Sequence, residues 1–176
     1  MSRGRRIVAE GVGSALLLAG IVGSGIMGER LAGGNVALAL LANTLATGAI
    51  LVALILTFGP ISGAHLNPVV TLSEASQGRL GWSDVPGYVA AQIAGAYGGV
   101  LTAHLMFGAS PFALSRHARA GGAQLWSECV ATFGLLLVVF GVVRSGRGAV
   151  APFAVGAYIA AAYWFTSSTS FANPAV

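Results

Sequence analysis

Few side chains in this 176-residue chain could do chemistry, and those that could sit in apolar surroundings. Glu10 and Glu128 each stand near the start of a long stretch with no other charge. A charged, unpaired carboxylate there is expensive, and the generic functional reading is a link in a proton relay. No further Asp or Glu within the apolar stretches completes such a relay, which favours a structural role. His104 and His117 are too isolated for a metal site. Cys129, the single cysteine, excludes an internal disulfide and reads as a small packing residue. No Walker loop, HExxH, GxSxG or CxxC is present, so neither an enzyme nor a cofactor is expected. What does recur is Asn-Pro-small: Asn67-Pro68-Val69 within "SGAHLNPVVTL" and Asn173-Pro174-Ala175 within "SFANPAV".

The elements that hold these residues follow from composition. The chain is 56% hydrophobic and 8% charged, with mean hydropathy +0.81, and is read as an all-α membrane protein. Its nine basic residues are all arginines, scattered between apolar runs without interleaved aromatics, so nucleic acid is not an expected partner. A spanning helix needs roughly 20 apolar residues. Five stretches qualify: about 7–28, 36–58, 85–107, 123–143 and 149–167. Arg3, Arg5 and Arg6 before Ile7 mimic a secretory signal, yet the apolar run extends to Gly28, so it reads as a retained helix. Gly95 and Gly99 form a GxxxG pair suited to close helix packing in lipid.

No Asp, Glu, Arg or Lys occurs from Leu31 through Ser73, too long a stretch for one span. Gly59-Pro60 is expected to end the second helix. Asn67-Pro68 reads as a helix start, with Asn as N-cap and Pro at the first helical position. That helix can run to about Gln77, roughly 16 Å, or half of a hydrocarbon core of about 30 Å. "SGAHL" is then a re-entrant loop, tolerable at membrane depth only when buried in protein or lining a water-filled cavity. The same reasoning applies to "TSSTSFANPAV".

The two motifs belong to a longer repeat, because "AEGVGSALLLAGIVGSG" (9–25) resembles "SECVATFGLLLVVFGVV" (127–143). Each half has an odd number of crossings, so the halves are inverted relative to one another. With the N-terminus cytoplasmic, Arg3, Arg5, Arg6, Arg79, Arg144 and Arg147 are inside and Arg30, Arg116 and Arg119 outside, in keeping with the positive-inside rule.

Two Asn-Pro motifs at helix starts, each after a re-entrant loop and a glutamate-bearing helix, resemble the two halves of an aquaporin or aquaglyceroporin. The resemblance covers essentially the whole chain. It implies one channel domain over 1–176, with a first repeat of about 1–110 and an incomplete second of about 120–176: five spans and the start of the second half-helix. Roughly 40 to 60 further residues would complete that architecture, so the chain is expected to be C-terminally truncated. The resemblance further implies an integral, multi-pass protein of the bacterial inner membrane, a homotetramer in the lipid bilayer, passing small neutral solutes. Asn67 and Asn173 would cap the half-helices while turning their amides into the pore. Glu10 and Glu128 would accept hydrogen bonds from the re-entrant loops, and His65 would border the pore or brace its loop.

Counting from the asparagines, the family's constriction positions fall on Thr47, Ala161, Ser170 and Val176. Valine stands where the family usually has arginine, and Thr47 and Ala161 replace the aromatic and histidine of water-selective members. A quartet this small suits glycerol-like polyols and water, and by analogy neutral metalloid hydroxides such as arsenous acid. Two other classes share these features: a coupled secondary transporter, which would need an ion gradient, and a non-conducting scaffold of the same fold.

Overall fold

The computed structural model describes residues 1–111 and 120–176; Arg116, His117 and Arg119 lie outside the described residues. Among the described residues six α-helices run in chain order: α1 (Arg3–Leu31), α2 (Val36–Ser62), α3 (Pro68–Ser76), α4 (Val85–Met106), α5 (Gly122–Arg144) and α6 (Ala151–Phe165). A short 3₁₀ turn, Gly148–Val150, leads into α6, and no strand occurs among the described residues. Four helices, α1, α2, α5 and α6 with its leading turn, are long and apolar enough to cross a membrane by length and composition. The fifth expected span, α4, has the length at 22 residues but carries Gln92 and His104 along with several glycines. Its polarity is turned inward, with Gln92 fully buried.

Helix ends follow local chemistry. Asn35 caps α2 by accepting from the Leu38 N–H at 3.1 Å. The expectation that Gly59-Pro60 stops α2 is corrected: the helix continues through Pro60 to Ser62. Proline removes one N–H near a helix end, and the helix still runs two residues further, through Ile61 and Ser62; the stop is Gly63, at φ +91° in the left-handed region that glycine adopts without a Cβ penalty. The half-helix α3 begins at Pro68 as expected and has nine residues, about 14 Å. Past Asn173 the described chain makes a single turn, closed by the Val176 N–H to the Asn173 carbonyl at 3.0 Å.

Packing depends on small residues. α1 packs along α4, and α2 bridges α1 and α6. A methyl group on Gly95 would overlap the Gly11 carbonyl, and one on Gly99 the Ala15 carbonyl, so the GxxxG pair sets the α1–α4 separation. At the α2–α6 crossing, a Cβ on Gly156 would lie 2.7 Å from the Gly48 carbonyl oxygen. Gly95→Ala is therefore expected to destabilise the bundle by about 1–3 kcal/mol through overpacking. Gly98→Ala, with no atom within 4 Å of the new methyl, should be neutral. Thermal unfolding of the two variants in detergent checks the contrast.

Polar contacts gather at the end where α1, α4 and α6 begin. Arg3 and Arg6 pair with Asp84 at 3.0 and 3.3 Å, and Arg144 donates to Gln77 at 3.1 Å. At the opposite end Arg30 donates to the Phe107 carbonyl at 2.8 Å.

Candidate functional site

The loop between α2 and α3 and the segment after α6 are built to one pattern: "SGAHLNP" (62–68) aligns with "STSFANP" (168–174). In each, the serine five residues before the asparagine accepts the N–H two residues on: Ala64 to Ser62 Oγ at 3.1 Å, Ser170 to Ser168 Oγ at 3.3 Å. In each, the positions four, three and one before the asparagine are left-handed: Gly63, Ala64 and Leu66 in the first, Thr169, Ser170 and Ala172 in the second. Five of these six are not glycine, a conformation costly enough that surrounding contacts must impose it.

Glu10 and Glu128 supply those contacts. Glu10, fully buried on α1, accepts from the His65 N–H at 3.0 Å and Ser62 Oγ at 2.6 Å through Oε1. Its Oε2 accepts from the Leu66 N–H at 2.7 Å and Gln92 Nε2 at 2.8 Å. Four donors fill the acceptor positions of a carboxylate. Glu128 on α5 accepts from the Phe171 N–H at 3.0 Å and the Ala172 N–H at 2.7 Å, the corresponding two residues of the second loop. The first loop is held more heavily: Tyr88 donates to the Ser62 carbonyl at 2.9 Å, and Gln92 also reaches Thr71 Oγ1 at 2.9 Å.

The two asparagines clasp each other's loops. Asn67 Oδ1 accepts from the Val69 N–H at 2.9 Å and Asn173 Oδ1 from the Ala175 N–H at 3.0 Å, the N-cap bond in both cases. Only an oxygen can accept there, so each Nδ2 points the other way. Asn67 Nδ2 donates to the Ala172 carbonyl at 2.7 Å, and Asn173 Nδ2 to the Leu66 carbonyl at 2.8 Å. Each carbonyl belongs to the residue before the other asparagine.

A cavity of about 380 Å³ runs past this junction. Asn67, Asn173, His65, Thr47, Ser170 and Val176 all line it. Its wall is otherwise largely apolar, with Leu17, Leu51, Ile55, Val155 and Ile159 among the lining residues. Among the lining residues Arg79 and Glu74 form a two-bond pair, at 2.6 and 2.8 Å, which holds the Arg79 guanidinium above its ordinary pKa. His65 lines the cavity, and its Nδ1 lies 3.1 Å from Thr71 Oγ1.

One counted position is not brought here. Ala161 is exposed, on the face of α6 shared with Phe153, Ala157 and Trp164. The cavity face is Pro152, Val155, Ile159 and Tyr163, nearly opposite at 100° per residue. Counting back from Asn173 crosses an irregular segment, and such a segment does not preserve helical register. Tyr163, missed in the sequence, takes the inward position, and its Oη lies 3.1 Å from Thr47 Oγ1. The 3.6-residue spacing from Val155 and Ile159 was the signal for it. Cys129 is exposed, contrary to the packing role expected of it, and does not line the cavity. Among the described residues no cluster of His, Cys, Asp or Glu could hold a metal.

Comparison with known proteins agrees with this architecture. The family described as major intrinsic protein matches residues 1–176. The chain is 56% identical over 172 residues to the aquaglyceroporin AqpS of Rhizobium meliloti (strain 1021), covering 98% of this chain and 73% of that protein. It is 40% identical over 131 residues to aquaporin NIP1-3 of Oryza sativa subsp. japonica, covering 71% of this chain and 46% of the relative. The chain thus spans less than half the length of the rice protein. The X-ray structure of the aquaglyceroporin from Plasmodium falciparum shares the fold, with a TM-score of 0.80 at 22% identity over 97% of this chain and 79% of that one. By its whole-length family match and its paired, mutually clasped Asn-Pro loops, the chain belongs to the major intrinsic protein family.

Proposed function

We propose that the protein is a passive channel for water and small neutral solutes such as glycerol, with the cavity beside the Asn67–Asn173 clasp as its pathway. The clasp is the observation that carries this reading. Each asparagine amide has two N–H groups and spends one on the opposing loop, so the second can meet a passing oxygen. The α3 N-terminus adds a partial positive charge at the same level. Cations and hydronium are disfavoured there, while neutral oxygen-bearing molecules are not. The mostly apolar wall suits the carbon face of a polyol.

Within this reading the paired motifs Asn67-Pro68-Val69 and Asn173-Pro174-Ala175 mark the pore centre. Thr47, Ser170 and Val176 form its constriction, His65 borders the pore, and Glu10 and Glu128 brace the loops. The names of the relatives, aquaglyceroporin and aquaporin, support the solute class. Neutral metalloid hydroxides extend it by their likeness to polyols. The chain is one channel domain of two repeats, about 1–110 and 120–176, acting in the bacterial inner membrane as a homotetramer with the N-terminus cytoplasmic.

Stopped-flow light scattering on vesicles holding the whole protein tests the proposal. Water and glycerol flux above that of empty vesicles, with no ion gradient, is expected. A strict gradient requirement would make it a coupled transporter, and absence of flux a scaffold. Crosslinking in the native membrane should stop at four subunits; a species that remains monomeric would contradict the tetramer.

A further inference from the structure

Resting on the channel reading, we propose that Tyr163 is the specificity-determining residue contributed by α6. Its ring sets the width of the passage near the end of that helix, and its hydroxyl, paired with Thr47, reads solutes that carry several hydroxyl groups.

Tyr163 is 6% exposed and lines the cavity one helical turn beyond Ile159. A tyrosine ring is the bulkiest group that α6 turns toward the cavity. It does not hang free, because its Oη lies 3.1 Å from the Oγ1 of Thr47, itself 1% exposed on α2. The close α2–α6 crossing at Gly48 and Gly156 brings these two helices within reach of such a bond. A ring anchored through its hydroxyl keeps one rotamer and therefore defines one opening.

A second group points the same way. Ser170 is 2% exposed and lines the same cavity, yet its Oγ has no hydrogen-bond partner among the described residues. A buried hydroxyl without a partner is costly. A polyol hydroxyl passing at that level supplies the missing partner. Thr47, Tyr163 and Ser170 thus put three hydroxyls on one cavity, with Ile159 and Val176 as apolar lining. That combination fits a small carbon chain with a hydroxyl on each carbon better than it fits an ion or an apolar molecule.

The test compares the glycerol-to-water permeability ratio of the whole protein and its variants in vesicles at matched density, with folding checked by size-exclusion chromatography. Tyr163→Phe and Thr47→Val should each lower the ratio by about fivefold, the effect of one hydrogen bond withdrawn from the transit barrier. Tyr163→Ala should admit four- and five-carbon polyols about tenfold faster than the wild type, as the opening widens. If Tyr163→Phe fails to fold, Thr47→Val carries the hydroxyl test from the other side of the pair. An unchanged ratio in folded Tyr163→Phe and Thr47→Val overturns the proposal. So does a ratio that responds to Ala161→Leu and not to Tyr163→Phe. A wild type that passes neither water nor glycerol refutes the channel reading itself, and this inference with it.

Discussion

Glu10→Ala is expected to abolish solute flux and to lower stability by at least about 3 kcal/mol, the largest effect of any single side chain outside the clasp. Four donors converge on that carboxylate, two of them backbone N–H groups of a loop in left-handed conformation. Each buried donor left without an acceptor costs about 1–3 kcal/mol, and no water in a bilayer core replaces what is lost. Glu128→Ala removes two acceptor bonds where Glu10→Ala removes four, so its penalty should be roughly half as large. Glu10→Gln separates bracing from proton relay. A brace loses stability, because the new amide turns a donor toward donors. A relay keeps the fold and loses only proton-coupled movement. Thermal unfolding and solute flux, measured on the same preparations, decide between them.

The second large effect concerns Val176. It lines the cavity and packs partly against the cluster around Leu17, Leu54 and Leu66. Val176→Arg should narrow the passage and add a fixed positive charge. Glycerol permeability is then expected to fall about tenfold more than water permeability, equivalent to about 1.4 kcal/mol of added barrier for the larger solute. Cation and proton leak should fall or stay low. Were Val176 only a packing residue, arginine there would disrupt the bundle and remove every flux together with the folded protein. An unchanged glycerol-to-water ratio in a well-folded variant would exclude Val176 from the constriction.

How far the fold could be read in advance depended on whether the deciding contact was local. The start of α3 was legible because Asn67 and Pro68 act on their own neighbours, and the observed helix ends at Ser76, one residue from expectation. The end of α2 lies past the expected stop because Pro60 is only a local obstacle, and near a helix end the chain carries two more residues beyond it. That Glu128 and Glu10 would lie against the two loops followed from the family resemblance, and the cost of an unpaired carboxylate said only that each needs a partner. For Glu10 the partners Gln92 and Ser62 did not follow, since tertiary packing alone brings them together. The same holds for the crossed bonds of Asn67 and Asn173, whose partners are more than a hundred residues away. The rotation of α6 was misjudged for a third reason: its register was counted through 166–172, a segment with no fixed rise. The apolar period within the helix itself would have placed Tyr163 inward.

The crossed asparagine bonds also impose an order in time. The Leu66 carbonyl waits for an amide that lies 107 residues further along the chain. At about 5–20 residues per second of synthesis, Asn173 leaves the ribosome some 5 to 20 s after Leu66. Through that interval the first loop has Glu10, made earlier and needing nothing from downstream, to hold its N–H groups. The heavier bracing of the first loop relative to the second therefore matches the length of its wait: the nascent first half must stay in shape alone, whereas the second loop emerges with its counterpart already in place.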